Sequence, residues 1–229
     1  MNHLLQSRFT KARNHRIRWA LLLTAICMGV LSAVHADDAA DFAALNNRLM
    51  KLYRAGEYAE ALPLAERMLK LNETSKGPQH PETAASLNIL AILYKEMGDY
   101  ARAEPLLQRA LAIDEKALGP KHPDTAFSLN CLGALYWIMC DYAKAELLFQ
   151  RALAIREKAL GPLNPHTAES VGNLGALYYD MGDYATAEPL DQRALAIDEK
   201  ALGPQHPETA ASLNNLAALY EAKIGRAHV

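Results

Sequence analysis

The chain has 229 residues, with 24 Lys and Arg against 26 Asp and Glu, and its formal net charge is −2. Five of the cations lie in residues 1–36, which contain no acidic residue, so residues 37–229 carry 19 basic against 26 acidic side chains and a charge of about −7. This acidic balance argues against nucleic acid as a partner, because phosphate binding needs a basic surface, and it permits basic protein partners.

Residues 1–36 have the pattern of a secretory signal peptide. A basic segment is followed by a short apolar run from Ala20 to Val34, and Val34-His35-Ala36 ends in small residues before Asp37. The pattern predicts cleavage before Asp37 and export to the periplasm or secretion, with no membrane partner afterwards. The alternative is an uncleaved inner-membrane anchor through residues 20–34, although a membrane span needs about 20 apolar residues.

A block of 42 residues recurs along the rest of the chain. A fixed period of this size predicts a stack of like units, because one unit cannot bury its own apolar face alone. Residues 37–223 therefore read as four repeats plus the first helix of a fifth. We number them repeats 1 to 5, and repeats 2 to 5 open at His80-Pro81, His122-Pro123, Asn164-Pro165 and His206-Pro207.

The sequence of each of the four complete repeats predicts two helices, which we call helix A and helix B. In repeat 3, Pro123 suits the first turn of helix A, and Asp141 is placed to cap helix B, which is expected from Tyr142 to about Ala159. Apolar residues recur at the helical period in both segments, and no segment alternates as a strand would. The predicted buried stripes are Leu129, Leu132, Gly133 and Tyr136 in helix A, and Ala145, Leu148, Ala152 and Ile155 in helix B. The fold class is therefore predicted to be all-α, with nine helices after residue 36.

The Gly-Asp-Tyr turn, the alanines of helix B and the 42-residue length resemble the tetratricopeptide repeat of the kinesin-light-chain type. The resemblance covers Asp37 to about Lys223. It implies a right-handed α-solenoid in which helix A lines the concave face, and it implies binding of a protein or peptide rather than catalysis. Two features depart from the pattern: repeat 1 is one residue shorter between its tyrosine and glycine, and repeat 5 stops after helix A.

On helix A of repeat 3, an apolar group lies opposite the predicted packing stripe. It consists of Phe127, Cys131, Ala134 and Ile138, flanked by Asn130 and Trp137. Repeat 4 places Glu169, Asn173, Ala176 and Asp180 at the matching positions. A concave surface is thus predicted to be apolar around repeats 2 and 3 and acidic in repeat 4. The alternative for Phe127 and Trp137 is packing against a neighbouring helix A.

Asparagines recur next to this surface, at Asn46, Asn88, Asn130, Asn173, Asn214 and Asn215. Each amide offers a donor and an acceptor together, which suits it to holding a peptide backbone whatever the side chains are. The alternative is that the asparagines bond the next repeat and stabilise the stack.

No pattern in the sequence indicates catalysis, a cofactor or a metal. His80, His122 and His206 recur at equivalent loop positions without a nearby second ligand, so they are expected to pack or to cap helix A. Cys131 and Cys140 would lie about 13.5 Å apart on one helix, beyond the reach of a disulfide. We find no nucleophile motif, phosphate loop or pair of catalytic carboxylates.

The sequence therefore favours a non-enzymatic scaffold that binds a protein or peptide segment in a groove. The alternative, which rests on a resemblance to repeat arrays fused to caspase-like proteases, is a regulatory arm of a larger enzyme. Residues 224–229 do not continue the repeat and are expected to be a non-native tail. An open end after helix A of repeat 5 would expose apolar surface, which predicts fraying or self-association there.

Overall fold

The computed structural model of the protein describes residues 36–227. Within these residues the chain forms nine α-helices and no strand, which confirms the all-α prediction. The helices are α1 (Ala36–Ala55), α2 (Tyr58–Ser75), α3 (Pro81–Glu96), α4 (Tyr100–Ala117), α5 (Pro123–Ile138), α6 (Tyr142–Leu160), α7 (Pro165–Met181), α8 (Tyr184–Leu202) and α9 (Pro207–Ala227). The predicted signal or anchor segment lies outside the described residues, apart from Ala36.

The odd-numbered helices are the A helices and the even-numbered ones the B helices, so α9 is helix A of repeat 5. The chain divides into two compact units, of which unit 1 ends at Ile113 and unit 2 begins at Asp114. α9 continues without a break through Ala227, past the point where α3 and α5 end.

The residue before each opening proline caps helix A, as the repeated histidines suggested. The Nδ1 atoms of His80, His122 and His206 accept hydrogen bonds from the backbone N–H two residues later, at 3.1–3.2 Å. Asn164 does the same with its side-chain oxygen at 2.9 Å. The prolines then occupy the first helical position, where a missing N–H costs nothing. A shared loop geometry therefore starts every A helix of repeats 2 to 5.

Helix B is capped by the aspartate of the A–B turn. Asp141 accepts a hydrogen bond from the Lys144 N–H at 3.3 Å, which confirms its predicted role, and Asp183 does so from Thr186 at 3.1 Å. In these turns Gly98 and Gly182 adopt φ of 79°, and repeat 3 places Cys140 there with φ of 63°. A non-glycine residue in this left-handed region is strained.

The packing between α5 and α6 corrects the predicted stripe of helix B. Leu148 is only half-buried, and Phe149 takes the fully buried position instead. A Cβ at Gly133 would lie 2.8 Å from the Phe149 ring, so the glycine leaves the room that the ring fills. In repeat 4 the equivalent pair is Gly175 and Asp191, and that carboxylate is also buried.

A polar bond joins each helix B to the following helix A. One partner in each bond is the buried serine in the first half of helix A. The other partner lies 14 residues earlier, on the preceding helix B. These pairs are Asn72–Ser86 (2.8 Å) in unit 1, and Asp114–Ser128 (2.5 Å), Arg156–Ser170 (3.0 Å) and Asp198–Ser212 (2.6 Å) in unit 2. We call these contacts the repeat junctions.

Successive B helices are joined by ion pairs on their outer side. An arginine of one helix B reaches the glutamate 36 residues earlier, in the preceding helix B. The pairs are Arg109–Glu73 (2.7 Å) in unit 1, and Arg151–Glu115 (2.6 Å) and Arg193–Glu157 (2.5 Å) in unit 2. The constant spacing shows that the repeats stack in one register within each unit.

Candidate binding surface on the A helices

The predicted binding residues differ widely in exposure. In unit 1, Asn46 is half-buried and Asn88 is buried. In unit 2, most of the predicted residues are buried, and the exposed ones lie at the ends of the A helices or on α9. The buried residues are Phe127, Asn130, Cys131, Trp137, Glu169 and Asn173; Ile138, Asp180 and Asn214 are exposed and Asn215 is half-buried.

In unit 2 the predicted surface brings α5 and α7 together. The Asn130 side-chain amide donates a hydrogen bond to Ser170 Oγ at 3.0 Å. Two turns further along α5, the indole N–H of Trp137 donates to the Asp180 carboxylate at 2.9 Å. These are the contacts expected from the packing alternative for Asn130 and Trp137. We call the α5 and α7 side chains from Asn130 to Ile138 and from Ser170 to Asp180 the A-helix surface.

Trp137 contacts helix B of its own repeat and helix A of the next repeat. Its ring meets that of Phe149 edge to face, with centroids 6.4 Å apart, so one side packs on helix B while the indole N–H reaches α7. Its neighbour Ile138 is 45% exposed and Met139 is similarly open. The exposed apolar area of the predicted patch therefore lies at the C-terminal end of α5, and Phe127 and Cys131 are enclosed.

The predicted acidic character of repeat 4 needs a correction at Glu169. Its carboxylate pairs with Arg156 of α6 at 2.9 Å, and both side chains are buried. Arg156 also donates to the His166 carbonyl at 2.7 Å. The pair is neutral, so Glu169 adds no net negative charge to the surface. Asp180 is then the exposed carboxylate among the predicted residues.

A comparison of the junctions in the sequence would have found this ion pair. At the position of Arg156 the other repeats carry Asn72, Asp114 and Asp198, and at the position of Glu169 they carry Ala85, Phe127 and Ala211. The one junction that gains a buried cation also gains a buried anion. Helical period alone does not show this, because the two residues belong to different repeats.

Two polar atoms of the A-helix surface are buried without a hydrogen-bond partner among the described residues. They are the Asn130 side-chain oxygen on α5 and the Asn173 side-chain nitrogen on α7. Asn173 lies one turn beyond Ser170, to which Asn130 donates. An unsatisfied acceptor and an unsatisfied donor thus lie on adjacent helices, and each costs about 1–3 kcal/mol if nothing satisfies it.

One junction carboxyl has a strongly shifted proton affinity. Burial raises the pKa of Asp114 to about 7, Asp124 adds to the rise, and the hydrogen bond from Ser128 opposes it. Asp114 lies beneath the A helices and not on their surface, so this shift concerns stability and not ligand contact.

Metal, disulfide and membrane-spanning features are absent from the part of the chain that the structure describes. No cluster of three or more His, Cys, Asp or Glu side chains there could hold a metal ion. Cys131 is buried, Cys140 is exposed, and neither is in a disulfide. None of the helices from α1 to α9 combines the length and the apolar character that a membrane crossing needs.

The sequence matches the family model of the tetratricopeptide repeat over residues 41–116, 96–158 and 161–228. No curated protein is matched. A crystal structure from Podosopora anserina, described as a kinesin light chain with nearly identical TPR-like repeats, is 28% identical over 81% of this chain and 88% of that one, with a TM-score of 0.64. A crystal structure of a substituted form of that protein is 26% identical over 86% of this chain and 92% of that one, with a TM-score of 0.67.

BtubC (BKLC) from P. vanneervenii is 22% identical over 91% of this chain and 83% of that one, and its TM-score of 0.68 indicates a shared fold. The tetratricopeptide repeat is a non-catalytic scaffold fold that commonly mediates protein–protein interaction. The family match covers most of the chain and agrees with the helix pairs, caps and junctions described above. The chain therefore belongs to the tetratricopeptide repeat family and has repeats of the kinesin-light-chain type.

Proposed function

We propose that the chain is a non-enzymatic scaffold that captures a segment of a partner protein on the A-helix surface of unit 2. The observation that carries the proposal is the pair of unsatisfied buried amide atoms on α5 and α7. A peptide backbone offers one donor and one acceptor per residue. Both atoms are buried in the free chain, so binding would require the two amide side chains to turn outward; the peptide N–H would then donate to the Asn130 oxygen, and its carbonyl would accept from the Asn173 nitrogen. Binding would thus relieve two unsatisfied groups without reading any side chain.

Affinity and direction would come from the end of the surface. Ile138 offers exposed apolar area, and Asp180 beside it offers exposed negative charge. We therefore expect preference for segments that are apolar at one end and carry Lys or Arg at the other, since complementary charge mainly sets orientation and association rate. Glu169 does not contribute to this preference, because Arg156 neutralises its charge.

A peptide array tests the preference. Immobilised peptides with one apolar end and either a basic or an acidic end are probed with the labelled chain. Basic variants should bind several-fold better, and Asp180→Asn should reduce that difference. Equal binding of acidic and basic variants would contradict the proposed orientation.

A single substitution tests the amide contact. Asn173→Cys removes the donor and installs the residue that repeat 3 carries at the equivalent position, Cys131, so the fold should persist. Binding of the best array peptides should weaken by about 5- to 50-fold, which corresponds to about 1–2.4 kcal/mol. Asn47→Ala, an exposed asparagine on α1 outside the predicted binding residues, is the control and should change nothing. Unchanged affinity for Asn173→Cys, with an intact circular dichroism spectrum, would refute this role.

We also propose that the scaffold acts outside the cytoplasm. The support is the basic, apolar and small-residue order of residues 1–36. Mass spectrometry of protein recovered from the periplasm or medium should find an N-terminus at Asp37. Membrane-bound material that retains Met1 would favour the anchored alternative.

A further inference from the structure

The methionines within residues 36–227 fall into two groups by exposure. Met50 and Met68 are 5% and 0% exposed, whereas Met97, Met139 and Met181 are 42%, 41% and 43% exposed. The exposed methionines lie 42 residues apart, and each precedes the residue of the A–B turn that has positive φ. An exposed thioether is therefore a recurrent feature of this turn in repeats 2 to 4.

The conformation of the turn does not require a methionine at this position. The Met139 N–H donates a hydrogen bond to the Leu135 carbonyl at 3.0 Å, and the Cys140 N–H donates to the Trp137 carbonyl at 3.0 Å. These bonds use main-chain atoms only, so the side chain of Met139 is not needed to end the helix. Its thioether is left accessible from solvent.

In unit 2 two of these methionines lie at the apolar end of the A-helix surface. Met139 follows Ile138, which is 45% exposed, and Met181 follows Asp180. The hydrogen bond from Trp137 to Asp180, at 2.9 Å, joins the ends of α5 and α7. The two methionines lie two residues and one residue from this contact along their helices. A partner segment whose apolar end reaches Ile138 would therefore lie against them.

We propose that Met139 and Met181 are sites of reversible oxidation by peroxides, and that their sulfoxides switch off the apolar end of the A-helix surface. The regulatory part rests on the proposed function, whereas the assignment of the oxidation sites does not. Oxidation converts a flexible apolar side chain into a polar one, and methionine sulfoxide reductases reverse it. The modification therefore removes apolar contact area without a permanent change to the chain.

The oxidation needs only a hydroperoxide and an accessible sulfur. The thioether sulfur attacks one peroxide oxygen, the O–O bond breaks, and hydroxide leaves. The oxidised sulfur group then transfers its proton to that hydroxide, which gives a sulfoxide and one water. Sulfur loses two electrons and hydrogen peroxide gains them. Because the attack needs contact with the sulfur, Met139 and Met181 should react before the buried Met50 and Met68.

The first experiment maps the oxidation sites. The full 229-residue chain with Cys140→Gly is treated with hydrogen peroxide, digested and followed by mass spectrometry. The substitution removes an exposed thiol that peroxide would also oxidise. Met139 and Met181 should form sulfoxide at least about tenfold faster than Met68, and Met97 should react as they do. Equal rates at the exposed and buried methionines would overturn the assignment.

The second experiment tests the switch on the peptide array described above. Oxidation of the same chain should weaken binding of peptides with an apolar end by about five- to tenfold. The double variant Met139→Leu with Met181→Leu keeps apolar side chains and has no sulfur to oxidise, so peroxide should leave its binding unchanged. Methionine sulfoxide reductase should restore binding to the oxidised chain. The circular dichroism spectrum before and after oxidation is the control for unfolding.

The outcomes separate the switch from the proposed function. A loss of binding that the leucine double variant shares would assign the effect to another residue and overturn the switch. Unchanged binding after full oxidation of Met139 and Met181 would overturn it as well. Absence of any peptide binding before oxidation would refute the proposed function and with it the switch, and the mass spectrometric map alone would then decide the oxidation sites.

Discussion

The two junctions on either side of repeat 3 both bury a polar group against a serine, but the charges of the buried groups differ. At the junction of repeats 2 and 3 a lone carboxyl, Asp114, is buried against Ser128. At the junction of repeats 3 and 4 a full ion pair, Arg156 and Glu169, is buried against Ser170. The helices around them are alike, so the backbone tolerates both. The difference shows that the repeat determines the position of the buried polar group, while the residues at each junction determine its charge.

The largest expected effect comes from breaking the ion pair. Arg156→Ala leaves Glu169 buried without its counterion, and removal of one partner of a buried pair costs about 3–5 kcal/mol. Glu169→Ala likewise leaves Arg156 buried without its counterion. Urea unfolding followed by circular dichroism measures both losses. Either single variant with wild-type stability would show that the pair is not buried in solution.

Replacing both partners at once should restore most of that loss. Asn72 of repeat 1 donates to the Glu82 carbonyl at 3.0 Å and to Ser86 Oγ, the same two acceptor positions that Arg156 uses at His166 and Ser170. The double variant Arg156→Asn with Glu169→Ala therefore copies a junction that the chain already contains. Its stability should lie within about 1 kcal/mol of wild type. A double variant as unstable as the single ones would mean that the junctions are not interchangeable.

The lone carboxyl predicts a pH dependence with a definite sign. Because the pKa of Asp114 is raised from its ordinary value near 3.8 to about 7 in the folded state, that state holds a proton which the unfolded chain releases. The contribution is favourable at low pH and is lost as pH rises from about 4 to about 7, with little change above. Asp114→Asn, which copies Asn72, removes this loss.

At pH 8 the Asp114→Asn variant should be more stable than wild type by up to about 4 kcal/mol, and the difference should shrink towards pH 4.5. Thermal unfolding at several pH values measures the trend. Asp124→Asn, which alters a neighbouring exposed carboxylate, is the control and should leave most of the wild-type slope in place. A constant difference across the range would argue against a raised pKa.

The smallest expected effect compares the A–B turns. Cys140 takes the left-handed conformation that Gly98 and Gly182 take in the turns of repeats 2 and 4. Cys140→Gly removes the strain of a side chain there and should stabilise the protein by about 1 kcal/mol. Cys140→Ala keeps a Cβ and should gain nothing. A gain for alanine equal to that for glycine would assign the effect to the thiol.

Much of the fold could be predicted from the sequence, because the 42-residue repeat, the helical period and the residues that begin and cap helices are all visible along the chain. The helix starts at Pro123 and Tyr142 and the cap at Asp141 agree with the structure. Which apolar residues are buried in the interior was harder to predict. Leu148 and Phe149 are adjacent apolar residues on one helix, and only the space left by Gly133 decides which is buried. That space belongs to another helix and leaves no periodic mark.

The sequence predicted which helices carry the candidate surface, but not which of its side chains are exposed. An apolar α5 was expected either to bind something or to be buried on two sides, and the structure encloses Phe127 and Cys131 while Ile138 stays open. Exposure depends on how closely α7 approaches, which the sequence of α5 does not encode. The substitution of Asn173 above tests one of the predicted asparagine contacts, and the binding roles of the other asparagines and of Trp137 stay predictions.

The Arg156–Glu169 pair has a consequence for how such an array is shuffled by gene duplication. Its members lie on opposite sides of the 161–164 loop, in α6 and α7. A crossover at that loop would separate the cation from the anion and leave each buried without its counterion. A crossover at the A–B turn near Cys140 would move α6 and α7 together and keep both charges matched. A duplication that preserves this ion pair must therefore copy helix B together with the helix A that follows it. This unit is offset by half a repeat from the A–B helical hairpin.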